Sequence, residues 1–111
     1  MSVKVFAYIW EYKVKTEHID AFEHAYGPHG DWVQLFKNGD GYITSELHGD
    51  INNTNHFVTI DYWTSKEALD KFKKVYHSQF NELDKQFELY TESEKHIGDF
   101  VSYMEKYLTK E

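Results

Sequence analysis

Residues 42–63 read YITSELHGDINNTNHFVTIDYW. The first part alternates, with Ile43, Ser45 and Leu47 on one parity, and the last part is rich in β-branched and aromatic residues. Both patterns are typical of strands. The stretch between them is polar and contains Gly, Asp and Asn, which favour turns. This segment therefore predicts an antiparallel hairpin.

A further strand is predicted upstream of the hairpin, over 3–14, where β-branched and aromatic residues follow one another without Gly or Pro. Apolar residues at helical spacing predict one helix over 16–27 and a long one over 65–91. As a single helix, 65–91 would be ~40 Å long. We therefore expect it to overhang the sheet, to break near 77–78, or to pack on a partner.

A last strand is predicted over 95–101, and a short terminal helix is predicted in the tail 102–111. The order is then strand, helix, strand, strand, helix, strand. This order predicts an α+β fold over 1–101, a ferredoxin-like βαββαβ domain whose four-stranded antiparallel sheet carries both helices on one face.

The other face of that sheet needs a cover, because the first strand is apolar on both parities. We assign its large aromatic parity to the face away from the helices and expect a second copy of the chain to cover it, giving a homodimer. That parity comprises Phe6, Tyr8, Trp10 and Tyr12. The set expected to face the helices comprises Phe57, Trp63, Leu69 and Phe72.

The composition excludes several classes of function. The chain has 12 Lys plus Arg against 19 Asp plus Glu, so its net charge of -7 disfavours nucleic acid and anionic membranes as partners. It has no Cys, which excludes disulfides, thiolate metal sites and a cysteine nucleophile. No run of apolar residues is long enough for a signal or a membrane span, so we expect a cytoplasmic protein.

Short motifs around the hairpin carry a family resemblance. Residues 61–69 read DYWTSKEAL, 11–15 read EYKVK, and Gly41-Tyr42 opens the second strand. With the length and the element order, they resemble the antibiotic biosynthesis monooxygenase family of dimeric α+β barrel proteins. In that family a Trp ends the third strand and Ser, Glu and Ala open the second helix.

The resemblance implies one of two chemistries. Some members oxidise quinols or polyketide-derived phenols with molecular oxygen and without metal or flavin, and others bind and degrade haem in the same pocket. That pocket lies between sheet and helices, and the strand-three Trp, here Trp63, belongs to it. The haem-degrading members use an Asn of the first strand and a His of the second helix. The first strand here has no Asn, and the second helix has only His77.

Two acids are candidates for a catalytic base. Period two places Asp61 on the face of Trp63, where loss of water would raise the pKa of its carboxyl. Glu11, on the parity of Val5, Ala7 and Ile9, is the second candidate for the base and is also a candidate for substrate binding. The alternative is that both carboxylates are hydrated or paired with Lys. His77 is a candidate proton shuttle because imidazole titrates near neutral pH.

Aromatic residues are the remaining candidates for substrate binding. Trp63 and Phe72 would wall the pocket, and Trp32 and Phe36, on a short helical piece before the second strand, would cover it. The alternative is that Trp63 is simply core and that Trp32 and Phe36 seal the core's edge. The seven His residues lack the spacing of a zinc site, so no metal is expected.

Two functional hypotheses follow. The first is a cofactor-independent monooxygenase acting on a small aromatic or quinol-like substrate. The second is a non-catalytic dimer that binds a small hydrophobic molecule, with haem as one alternative, or that fills its pocket with its own side chains. An open cavity favours the first hypothesis and a filled core favours the second.

Overall fold

A computed structural model describes residues 2–105, with the side chains of 3–104. The strands are β1 (Ser2–Val14), β2 (Tyr42–Gly49), β3 (His56–Trp63) and β4 (Thr91–Glu105). The helices are α1 (Ile19–Tyr26), α2 (Asp31–Phe36), α3 (Lys66–Val75) and α4 (His77–Phe87). Short 3-10 turns at Thr16–His18 and Glu88–Tyr90 precede α1 and β4.

The four strands form one antiparallel sheet in the order β2-β3-β1-β4. The central strands β1 and β3 come from different halves of the chain, as they do in a ferredoxin-like fold. The predicted fold class and the predicted hairpin of β2 and β3 are confirmed. None of the helices within residues 2–105 combines the length and the apolar composition needed to cross a bilayer.

The helix predicted over 65–91 is broken, which was one of the three possibilities that its length left open. Ser65 caps α3, because its Oγ accepts a hydrogen bond from the Ala68 backbone N–H at 3.0 Å. Tyr76, with φ −107° and ψ 28°, leaves helical geometry and separates α3 from α4. Two shorter helices therefore cover the sheet.

The assignment of the faces of β1 was wrong. Residues directly opposite in an antiparallel ladder share a face, and the ladder pairs Phe6 with Trp63 and Tyr12 with Phe57. The large aromatic parity of β1 consequently faces the helices. Both parities of β1 are apolar, so hydrophobic alternation did not distinguish its two faces.

The sheet face opposite the helices carries its own apolar cluster, which we call the outer face. It is centred on Val5, Ala7 and Tyr62, all buried. Val3, Ile9, Ile43, Ile60 and Met104 pack around them. All of these residues lie on strands, and no residue of the four helices belongs to the cluster.

Strand β4 is longer than predicted at both ends. It begins at Thr91 and runs to Glu105, so 102–105 of the predicted tail are strand and not helix. The rest of the predicted terminal helix lies outside the described residues. The extra length comes from pairing with β1 along its whole course, with a register shift between Ile9 and Trp10. This long edge was hidden in the sequence by polar residues at 92–96.

Candidate functional site

A cavity of about 220 Å³ opens between the helix-facing side of the sheet and the helices. All four strands and all four helices contribute to its wall or mouth. Its aromatic lining comprises Tyr8, Trp10, Tyr12, Tyr26, Trp32, Phe36 and Phe80. Its other lining residues are Val33, Ser45, Glu46, Thr59, Asp61, Lys73, Asp84 and Glu94.

Asp61 places a carboxyl group in this aromatic wall. It lies on β3 opposite Tyr8 of β1 and Ser45 of β2, so all three side chains belong to the same face. Ser45 Oγ donates a hydrogen bond to Asp61 Oδ1 at 2.7 Å. Burial raises the pKa of Asp61 to about 6, and the bond from Ser45 limits that rise. The side chain lies deep in the protein but keeps some exposure, because it borders the cavity.

Ser45 connects Asp61 to a second hydroxyl group. Its Oγ lies 2.8 Å from Tyr42 Oη. Since the Ser45 hydroxyl proton points to Asp61, the Tyr42 hydroxyl is the donor of this second bond. Partial burial raises the pKa of Tyr42, which keeps the phenol protonated and able to donate. A chain of two hydroxyls thus stabilises the charged form of Asp61.

Lys73 of α3 places an ammonium group at the same cavity. Its Nζ donates to Tyr8 Oη at 2.7 Å and lies 4.6 Å from the centre of the Tyr8 ring and 5.5 Å from that of Phe80. The ammonium group is held by a phenol and two ring faces, a favourable place for a cation. Among the residues that line the cavity in the described part of the chain, Lys73 is the one cationic side chain.

Two more acids stand at the mouth of the cavity. Asp84 on α4 and Glu94 on β4 are exposed side chains. Partial burial is the main cause that raises the pKa of each, and repulsion from Glu88 contributes to both. Lys73 opposes this by lowering the pKa of Asp84. The mouth is therefore acidic, in contrast to the aromatic interior.

Three of the predicted site residues line the cavity, namely Asp61, Trp32 and Phe36. Trp63 and Phe72 are buried and are not among the lining residues. Phe36 connects the two layers, because it lines the cavity and packs edge to face on Trp63 at 5.8 Å between ring centres. The reading of Trp63 as core is thus the one that its position fits.

Glu11 and His77 lie away from the cavity. Glu11 is opposite Val58 in the ladder and therefore on the outer side of the sheet, where its Oε2 lies 2.6 Å from His56 Nε2. His77 is exposed at the start of α4. Neither residue is brought together with Asp61, because Glu11 has the opposite parity in β1 and the side chain of His77 is exposed.

The side chains that line the cavity do not fit the haem alternative. No His is among the side chains that line it in residues 2–105, so a proximal imidazole is missing. In the same range, no group of His, Asp and Glu is arranged to hold a metal ion. The cavity instead combines aromatic walls with one buried carboxyl, one ammonium and several hydroxyl groups.

Several lining residues were missed from the sequence. Tyr8, Trp10 and Tyr12 belong to the parity of β1 that was assigned to the other face. Placing Tyr8 opposite Asp61, as the ladder of β1 and β3 does, gives the correct face. Ser45 has the same parity as the apolar Leu47, and this alternation indicated that Ser45 faces the core. Lys73 lies beside the apolar stripe of α3, and its long side chain reaches the cavity from there.

The family model for antibiotic biosynthesis monooxygenases matches residues 6–79 of the chain. The chain belongs to this family. The match includes β1 from residue 6, the hairpin, α1, α2, α3 and the start of α4, and thus most of the elements that line the cavity. No curated protein matches the chain significantly.

Solved structures share the family fold. SnoaB, a cofactor-independent oxygenase from Streptomyces nogalater, superposes with a TM-score of 0.66 at 14% identity, over 95% of this chain and 99% of that chain. A protein from Pseudomonas aeruginosa gives 0.62 at 18% identity, over 93% and 96%. A structure described as an antibiotic biosynthesis monooxygenase gives 0.57 at 20% identity, over 90% and 96%. At these identities the likeness concerns the fold.

Proposed function

We propose that this family member is a cofactor-independent monooxygenase that oxidises a small phenolic or quinol-like aromatic substrate with molecular oxygen. The observation that carries the proposal is the Asp61 carboxyl group in an aromatic cavity, with a pKa raised to about 6 and a 2.7 Å hydrogen bond from Ser45. A base with a pKa near neutrality both accepts and returns a proton readily. The cofactor-independent activity of SnoaB, which has the same fold, is compatible with this reaction.

In the proposed reaction, Asp61 removes a proton from the substrate and leaves an electron-rich anion. The anion transfers one electron to oxygen, and the resulting radical and superoxide combine in a carbon–oxygen bond. The peroxide takes the proton back from Asp61 and loses water. Overall, the ring carbon that is a CH₂ group in the keto tautomer of the phenol becomes a carbonyl group, O₂ supplies the oxygen atoms of this carbonyl and of one water, and Asp61 is regenerated.

The size of the cavity selects small substrates. An apolar cavity of ~150 Å³ is sufficient for benzene. The cavity of about 220 Å³ therefore accommodates one substituted ring, and larger fused systems must extend into the open mouth. The aromatic walls suit a flat ring, because stacked and edge-to-face contacts add to the burial of its surface.

Oxygen consumption over a panel of hydroquinones and anthrones tests the proposal. We expect turnover by the wild type. Asp61→Asn should lose roughly a hundredfold or more of this rate, the loss typical of a missing general base, and Asp20→Asn should keep the wild-type rate. Asp20 is exposed on α1 and is the matched control. Binding of a ring compound with no oxygen consumption would instead support the alternative, a non-catalytic binding protein.

We also propose that the chain forms a homodimer through the outer face. The cluster around Val5, Ala7 and Tyr62 is apolar, and no residue of α1 to α4 belongs to it. Ile9, Ile43 and Ile60 at its margin are only partly buried, and a second copy can cover this apolar surface symmetrically. The cavity lies on the opposite side of the sheet and stays open in such a dimer.

A further inference from the structure

We infer that Lys73 is the anion-binding residue of the cavity, which holds the oxygen of a phenolic ligand in its deprotonated form. The inference rests on the proposed function for the class of ligand, a phenol. It does not depend on the subsequent oxygen chemistry. Nothing in the family match or the related structures assigns a role to Lys73.

The surroundings of Lys73 leave its ammonium group available to a ligand. The Nζ makes one hydrogen bond, to Tyr8 Oη, although an ammonium group has three N–H donors. Within the described residues Lys73 takes part in no salt bridge, in contrast to Lys13 and Lys66. The side chain is half-buried, so a bond to an incoming oxygen would be less screened than one at the surface.

Tyr8 fixes the ammonium group in relation to the carboxyl. Tyr8 is the ladder partner of Asp61, and side chains directly opposite in an antiparallel pair are neighbours. Tyr8 therefore lies between the carboxyl and the ammonium group, along one wall of the cavity. A ring lying against that wall meets a proton acceptor at one place and a cation at the other.

The other charges of the cavity restrict where an oxyanion can lie. The lining has four acids, namely Asp61 inside, Asp84 and Glu94 at the mouth, and Glu46 of β2. Each of these repels a phenolate when ionised. Among the described lining residues Lys73 alone carries a positive charge, so we place the phenolate oxygen at its Nζ.

Binding of para-nitrophenol tests the inference, because the phenolate form of this probe absorbs visible light and reports its own ionisation. We expect the wild type to lower the pKa of the bound probe and to prefer the phenolate form. Lys73→Met should weaken phenolate binding by roughly tenfold, the loss expected for one charge-assisted hydrogen bond, and raise the pKa of the bound probe. Lys73→Arg should retain most of both effects.

Two controls separate charge at this position from general changes. Lys74→Met removes the same charge from an exposed position on α3 and should leave probe binding unchanged. Tyr8→Phe keeps the ammonium group but removes the hydroxyl that holds it, so we expect a smaller loss than in Lys73→Met. Circular dichroism of each variant verifies that the fold is retained.

The outcomes distinguish this inference from the proposed reaction. Equal phenolate binding by the wild type and Lys73→Met overturns the inference even if quinols are oxidised, and so does a wild type that binds no phenolate at saturating probe. Phenolate binding that depends on Lys73 supports the inference even if no quinol is oxidised, a result that would overturn the oxygenase proposal alone.

Discussion

Two opposing effects set the pKa of the Asp61 carboxyl group: burial raises it, and the hydrogen bond from Ser45 lowers it. Because the bond from Ser45 lowers its pKa, Ser45→Ala should raise that pKa further above about 6, by roughly one unit. The carboxyl carbon shift of Asp61 in an NMR titration measures this without any substrate. Ser78→Ala, at an exposed position of α4, is the control. An unchanged titration midpoint in Ser45→Ala would contradict the role given to the hydroxyl group.

The same carboxyl group should reduce stability. Its folded-state pKa of about 6 exceeds the ordinary 3.8, so the folded protein binds the proton more tightly than the unfolded chain. Stability is then lost as the pH rises from 3.8 through about 6. Well above that range, Asp61→Asn should increase the free energy of unfolding by at most about 3 kcal/mol.

Denaturant unfolding of Asp61→Asn and wild type at several pH values checks this. The difference should shrink to nothing at pH values below the ordinary pKa of an Asp. A constant difference across the whole range would show that the substitution acts through packing and not through the charge.

Asp61 was predicted as a site residue from the sequence and Lys73 was not, and the reason is physical. Asp61 was found because period two in a strand fixes the side of every residue once one side is known. Lys73 was not found, because a lysine beside an apolar helix stripe is ordinarily solvated, and its contact with Tyr8 depends on how α3 packs over β1.

His56 of β3 connects the hairpin loop and β1 through hydrogen bonds to two acids. Its Nδ1 lies 2.9 Å from Asp50 Oδ2 of the hairpin loop, and its Nε2 lies 2.6 Å from Glu11 Oε2 of β1. The bond to Asp50, followed by that to Glu11, raises the pKa of His56, and the bond from His56 lowers the pKa of Asp50. The hairpin is thereby tied to the central strand.

This network should stabilise the protein in a limited range of pH. The contribution of His56 is complete below its ordinary pKa of 6.5 and is lost as the pH rises through its higher folded-state value. That of Asp50 is complete above 3.8 and is lost as the pH falls through its lower folded-state value. His56→Ala should therefore lower the melting temperature most between pH 3.8 and pH 6.5. His24→Ala, at an exposed position of α1, should leave the melting temperature unchanged.

A melting series over pH decides the matter. The gap between wild type and His56→Ala should narrow on the alkaline side, where the imidazole is neutral. A gap that keeps its size there would mean that His56 acts by packing or by a neutral hydrogen bond.

The elements themselves were largely predictable, and their faces were not. Residues 42–63 encode their own turn and alternation, so the hairpin follows from local sequence. A break near 77–78 was one of three possibilities that the length of 65–91 left open, and the helix breaks at Tyr76. The faces of β1 depend on its pairing with β3, a contact between distant parts of the chain that no local pattern in a doubly apolar strand reveals.

The whole molecule has an apolar layer on each side of one sheet, and residues of the helices pack in the helix-facing layer. Ile60 lies in the outer face. If a second copy covers this face, the wild type should sediment as a dimer and Ile60→Lys as a monomer, because a buried, unpaired ammonium group is strongly unfavourable. Val75→Lys, at an exposed apolar position of α3, should not change the sedimentation.

A wild type that sediments as a monomer at all concentrations would contradict the dimer. A dimer that persists in Ile60→Lys would place the interface elsewhere, for example along the edge strand β4, where Val101 and Tyr103 are exposed.

The double apolar character of β1 also has a consequence for how the chain finds its fold. A slip of one residue normally exchanges a wet face for a dry one, and this penalty fixes the alignment of neighbouring strands. Both faces of β1 are apolar, so this penalty is small. Polar anchors at one end must then select the alignment, among them the side-chain amide of Asn55 on Val14 O at 2.7 Å and the bond from His56 to Glu11. Without them, the competing states would be misaligned sheets in which Asp61 no longer faces Tyr8.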